Sequence, residues 1–192
     1  MNPIEHSFHE AQHVLAQFIN DREQFGRVQL FADKLAATFL AGCKAMACGN
    51  GGSMSDAMHF AEEWSGRYRR ERRPLPAIAL SDPGHMSCVA NDYGFAEVFS
   101  RQVQALGSEG DLLLMLSTSG NSPNLIRAAE EARTRGVTTV GLLGKGGGTL
   151  LAHCDIPIVV PGGTSDRIQE IHIKIIHIVI ETVERQLFPE LY

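Results

Sequence analysis

Apolar residues recur at helical spacing through residues 5–20 and 27–41, marked by Val14, Leu15 and Phe18 and then by Leu30, Phe31, Leu35 and Leu40. The chain is therefore predicted to open with a helical hairpin. From Lys44 the pattern changes, and short apolar runs at 44–48, 77–81, 111–116, 137–142 and 156–160 alternate with stretches long enough for a crossover helix. That alternation predicts an α/β fold with a parallel sheet, doubly wound because the crossovers are right-handed. In the flavodoxin-like order 2-1-3-4-5, ligands bind at the carboxyl ends of the strands where the order reverses, between the first and third strands. A last helix is predicted from Ser165 to Leu187, with isoleucine or valine on nearly every side, so it should be buried between layers or between subunits. The chain reads as one domain, residues 1–42 forming the hairpin and residues 43–192 the α/β core and C-terminal helix.

The two loops at the expected switch point are Cys48 to Ser53 and Ser117 to Ser122, both rich in glycine and small polar residues. In the second, an apolar run empties into Ser117, Thr118, Ser119 and Gly120, and Ser122-Pro123 reads as a helix N-cap followed by proline at the first helical position. Such a turn is either an anion cradle of neutral donors or a βα connection whose serines only cap a helix. The pairing of two such loops at one switch point favours the cradle. Gly49 to Met54 lacks the last glycine of GxGxxG, and Gly144-Lys145-Gly146 lacks the spacing and hydroxyl of a P-loop. No nucleotide is expected, and Gly144 to Gly148 reads as a flexible turn.

Ser53 is read as the cap of a helix running to Gly66, on which His59 and Glu63 stand one turn apart. On the last helix, Asp166, Gln169 and His177 fall within an arc of roughly 80°, whereas His172 points away. A polar stripe on an apolar helix faces a ligand, a metal, or hydrogen-bonding partners within the fold. If both stripes face one pocket, His59, Glu63, Gln169 and His177 form a donor set suited to zinc, and a carboxylate beside a histidine suits proton transfer next to a carbonyl. His9 and His13 mimic a metal pair on the first helix but lack a third ligand, and are expected to face solvent or the neighbouring helix.

At 192 residues and 44% hydrophobic content the chain can bury a core without disulfides, and Cys43, Cys48, Cys88 and Cys154 read as reduced, mostly buried thiols. A net charge of −5 argues against broad nucleic-acid binding. No signal peptide or membrane span is visible. One basic run, Arg67 to Arg73, holds five arginines in seven positions. It reads as a solvated linker, with Arg67 the one expected to face an anionic ligand.

The motifs at 48–53, 56–63, 117–122 and 166–172, together with His177, resemble those of bacterial phosphoheptose isomerases of the sugar isomerase (SIS) fold, in the same order and over nearly the whole chain. The resemblance implies conversion of sedoheptulose 7-phosphate to D-glycero-D-manno-heptose 7-phosphate, the first step toward the heptose of lipopolysaccharide. It further implies a cytoplasmic homotetramer with active sites shared between subunits, and one Zn2+ per subunit. Carried over by motif, substrate contacts fall on Asn50, Gly51, Gly52, Ser53, Asn91, Asp92, Ser117, Thr118, Ser119, Ser122, Asp166 and Gln169, and zinc ligands on His59, Glu63, Gln169 and His177. Arg67 and Glu63 are added to the substrate contacts. In the implied reaction Glu63 is the carbon base, His177 moves protons between the two oxygens, and Asp92 or Asp166 orients hydroxyls. Metal ligation weakens a base, so Glu63 and His177 either alternate roles or the metal is organisational. The SIS fold also holds sugar-phosphate sensors and a non-enzymatic relative that binds the replication initiator, but the presence of His59, Glu63 and His177 favours an enzyme. The apolar terminal helices fit a plain oligomerisation module as well as an enzyme interface.

Overall fold

The computed structural model describes residues 2–192. Helices α1 (Pro3–Asn20) and α2 (Arg22–Leu40) form the expected hairpin. Asn2 caps α1 in a capping box with Glu5, and Asp21 both ends α1 and caps α2, its carboxylate accepting from the Glu23 and Gln24 amides at 3.1 Å. That cap starts α2 at Arg22, five residues before the apolar periodicity becomes visible.

Five strands follow, β1 (Ala45–Gly49), β2 (Ala77–Ala79), β3 (Leu112–Ser117), β4 (Thr138–Gly144) and β5 (Ile156–Val160), in a parallel sheet of order β2-β1-β3-β4-β5. The crossovers carry α3 (Gly52–Ser65), α4 (Pro83–Asp92), α5 (Ser100–Leu106) and α6 (Pro123–Thr134), and α7 (Ser165–Leu187) closes the chain apart from a short 3-10 turn.

Strand periodicity divides the core in two. Ala45, Ala47, Leu112, Leu114, Leu116, Val140, Leu142, Ile156, Ile158 and Val160 pack with the hairpin, α3 and α7 on one face of the sheet. Met46, Cys48, Leu113, Met115 and Leu143 pack with α4, α5 and α6 on the other. Because both faces are covered, β1 and β3 are buried at every position. α7 lies entirely in the first layer, with Ile168, Ile171, Ile175, Ile176, Val179, Ile180 and Val183 inward. His172 is fully buried there, its Nε2 3.3 Å from the Leu143 carbonyl of β4. The four cysteines are unpaired thiols, but only Cys48 is buried and Cys88 is exposed, against the expectation of mostly buried thiols. His9 and His13 are exposed, as expected.

Candidate active site

The reversal of strand order places the loop after β1 beside the loop after β3, and between them lies a cavity of about 200 Å3 lined by Asn50, Ser53, Leu116, Ser117, Thr118, Ser119, Ser122, Ser165 and Gln169. Three helix N-termini, those of α3, α6 and α7, converge on it, so their unpaired amides and positive dipole ends face one small polar space. Ser122 is the N-cap residue of α6 but makes no capping hydrogen bond, which leaves its hydroxyl to the cavity. The N-cap of α3 is Gly51 rather than Ser53, because the helix begins two residues earlier than expected. The Ser53 hydroxyl instead accepts from Gln169 Nε2 at 3.3 Å. Gly52 permits this approach, since a Cβ there would stand 2.8 Å from Gln169 Nε2.

The second loop is braced from below. Ser117 Oγ accepts from the Gly120 amide at 2.9 Å, and Thr118 Oγ1 and Ser165 Oγ are 3.0 Å apart. Gly120 has φ +66° and its absent Cβ would meet the Gly147 carbonyl at 1.9 Å, so only glycine fits. The Gly144 to Gly148 segment is thus a packed support rather than the flexible turn expected: Asn121 Oδ1 accepts from the Thr149 amide and hydroxyl at 3.0 Å, tying the two loops together.

Two helical turns further along α3 and α7, His59, Glu63 and His177 meet. One ligand-type atom from each lies within 4.8 Å of the others. His59 Nε2 is 2.9 Å from His177 Nε2 and 3.3 Å from Glu63 Oε1, and Glu62 approaches His59 Nδ1 at 3.4 Å. Burial raises the Glu63 pKa above the ordinary carboxylate range, with the neighbouring Glu62 acting in the same direction. Burial, followed by the facing His59, lowers that of His177, which favours the neutral imidazole that metals and protons seek. Tyr68 stacks on the His177 ring at 6.0 Å between centroids. Two imidazoles and a carboxylate converging at this spacing match a catalytic metal site with three protein ligands and an open position. The donors present therefore fit a zinc-type ion.

Not every expected residue arrives. Gln169 lies eight residues before His177, about 12 Å along the helix by the α-helical rise, at the cradle end of the seam. Its amide nitrogen donates to the Ser53 hydroxyl. Asp166 is outside the cavity, 65% exposed and 3.7 Å from Arg167, and its pKa is lowered chiefly by a hydrogen bond from Thr164. Asn91 and Asp92 end α4 as exposed residues, hydrogen-bonded to each other at 2.7 Å and apart from the cavity. Arg67 is exposed and lines neither site. Gly51 and Gly52 lie at the cavity's edge as the start of α3.

The arginine run is not wholly solvated either. Arg72 is buried and paired to Glu184, a role invisible in a run of like charges. Asn124 was also unforeseen. Its side chain exchanges two amide hydrogen bonds with Asn50, at 2.8 and 3.0 Å, so the expected substrate contact at Asn50 is left to its main chain. Asp56 stands between Ser53 and His59 on α3, and one carboxylate oxygen is buried without a partner among the described residues. Burial pushes its pKa up to about 6, with His59 pulling it down. Its i+3 spacing from both neighbours was the available signal.

A larger cavity, of about 870 Å3, runs between α1 and α7 and is lined by apolar residues such as Ile4, Phe8, Leu15 and Ile171 together with the charged Asp166, Arg167, Glu170 and Lys174. It holds neither the hydroxyl cradle nor the imidazoles.

A doubly wound sheet with a hydroxyl cradle at its switch point defines a SIS domain, and residues 6–144 match that family. The phosphoheptose isomerase from Fusobacterium nucleatum is 56% identical over 179 residues, covering 93% of this chain and 92% of that one. The structure of a phosphoheptose isomerase from Francisella tularensis superposes with a TM-score of 0.90 at 34% identity, over 95% of this chain and 96% of that one. That from Neisseria gonorrhoeae gives 0.88 at 36% identity, over 94% and 96%. The chain belongs to the phosphoheptose isomerase family.

Proposed function

We propose that the protein is an aldose-ketose isomerase that converts sedoheptulose 7-phosphate to D-glycero-D-manno-heptose 7-phosphate, the first step in making the heptose of lipopolysaccharide. The observation that carries this reading is the meeting of His59, Glu63 and His177 on two helices that both begin at the hydroxyl cradle. The cradle takes the phosphate through main-chain amides of Gly51, Gly52 and the turn after β3, and through the hydroxyls of Ser53, Ser117, Thr118, Ser119 and Ser122. With the phosphate anchored there, an extended seven-carbon chain reaches along the α3–α7 seam toward the acid and base.

Moving the carbonyl from C2 to C1 removes a proton from C1, passes through an enediolate and returns a proton to C2. Glu63 takes and returns the carbon-bound proton, its raised pKa making it a stronger base than an exposed carboxylate. His177, favoured in the neutral form, accepts the proton of the C1 hydroxyl and delivers it to the C2 oxygen. Gln169, which lines the cradle, serves as a substrate contact and as the further donor to the metal. His59, Glu63 and His177 would hold one Zn2+ per subunit, and a bound zinc supplies Lewis-acid stabilisation of negative charge on the substrate oxygens.

Asn91, Asp92, Asp166 and Arg67 lie outside the cavity of one chain, and their service to the substrate is proposed to come with assembly. Ile4 and Phe8 on α1 are 70% and 74% exposed, a load of apolar surface that fits burial in a cytoplasmic homotetramer. No described helix is long and apolar enough to cross a membrane.

Purified protein should convert the ketose phosphate, carry about one zinc per chain by elemental analysis, and elute as a tetramer in light-scattering chromatography. Glu63→Gln and His177→Gln should each abolish most turnover. Intact turnover in both variants would sink the assignment.

A further inference from the structure

We propose that Arg72 is a positioning residue for this reaction: its buried guanidinium joins the last carbonyls of α3 to Glu184 of α7 and so sets the spacing at which Glu63 faces His177. The proposal rests on the isomerase reading above.

The final turn of a helix leaves carbonyls without partners. In α3 the Gly66 amide satisfies Glu62, and Arg72 takes the next two, Nη2 donating to the Glu63 carbonyl at 2.7 Å and Nη1 to the Trp64 carbonyl at 2.9 Å. Its remaining nitrogen, Nε, donates to Glu184 Oε1 at 2.7 Å, and the other Glu184 oxygen accepts from the Tyr192 hydroxyl at 2.6 Å. The Arg72 and Glu184 side chains are 0% and 1% exposed. A desolvated pair in which every nitrogen and both oxygens are bonded tolerates little change in geometry.

Its location gives that rigidity a use. The carbonyl held at 2.7 Å belongs to the same residue whose carboxylate faces the imidazoles. Glu184 lies seven residues, two helical turns, beyond His177 on one face of α7. The α3–α7 seam is therefore tied at three successive heights: Ser53 to Gln169, His59 and Glu63 to His177, and the α3 carboxyl end through Arg72 to Glu184. Only the third tie is free of groups that meet substrate or metal. Apolar replacement of both members removes the desolvation cost of the ion pair but leaves the Glu63 carbonyl and the Tyr192 hydroxyl without these partners. Positioning is therefore separated from folding by kinetics on protein shown to be folded.

The test uses the full chain. In the double variant Arg72→Met with Glu184→Leu, the melting midpoint falls, and the readouts are taken on folded protein well below it. kcat for the ketose phosphate falls about 10–100-fold with KM little changed, as expected of a misplaced acid–base pair. Affinity for Zn2+ alone, measured by chelator competition on stripped protein, falls about 10–100-fold. A folded double variant with parental kcat and parental Zn2+ affinity overturns the proposal. Should that variant fail to fold, Arg72→Lys decides by the same two readouts, because it keeps the charge but not the planar fork. Reduced kcat and weaker Zn2+ binding support positioning, and parental values refute it. A parent enzyme without turnover would count against the isomerase reading, while the Zn2+ comparison would still judge Arg72.

Discussion

The two ends of the α3–α7 seam are built from different materials. The amino end is made of glycines, hydroxyls and main-chain amides supplied by two short contiguous loops. The carboxyl end is made of long side chains from residues more than a hundred positions apart, His59 and Glu63 against His177, backed by Arg72 and Glu184. The first end can hold a phosphate by shape and neutral donors. The second shifts the pKa of its members and so can move protons. In the proposed reading, binding and chemistry are divided along one pair of helices.

The sharpest way to break this division is at the chemical end. Glu63→Gln should lower kcat by about 10²–10⁴-fold with KM within a few-fold of the parent, measured by steady-state kinetics. A change confined to KM would mean that Glu63 only binds.

His172 lies between the two ends and belongs to neither, which makes it a control. Burial lowers its pKa to about 4 from 6.5. The unfolded chain therefore takes up this proton first, and the stability contributed by the neutral imidazole is present above pH 6.5 and is lost as pH falls toward 4. The loss amounts to about 3 kcal/mol at most by the linkage constant. Urea midpoints measured across this range should fall with acid in the parent and flatten in His172→Gln. An unchanged slope would show that the group does not stay neutral in the fold.

The smallest effect is expected at the cradle. Ser119→Ala removes one neutral donor of several and should raise KM about 10-fold while leaving kcat intact, from the value of one hydrogen bond to a charged group. Loss of kcat there would mean that the two ends are not separable.

The pattern of short apolar runs and helical periods determined the strand count and the span of α7, because strands covered on both faces read as continuous apolar runs and a buried helix as a 3.6 period. The sheet order followed from the usual arrangement of such a fold. The cradle was legible for a related reason, its donors being neighbours in the chain. The α3–α7 cluster could be read only as two separate stripes, and their meeting required the helices to pack. Height along a helix is lost when residues are projected onto a wheel, so the arc shared by Gln169 and His177 did not reveal that Gln169 meets Ser53 at the cradle while His177 meets His59. Arg72 stayed hidden within a run of exposed arginines, since its partner Glu184 stands 112 positions away and only tertiary packing removed both from water.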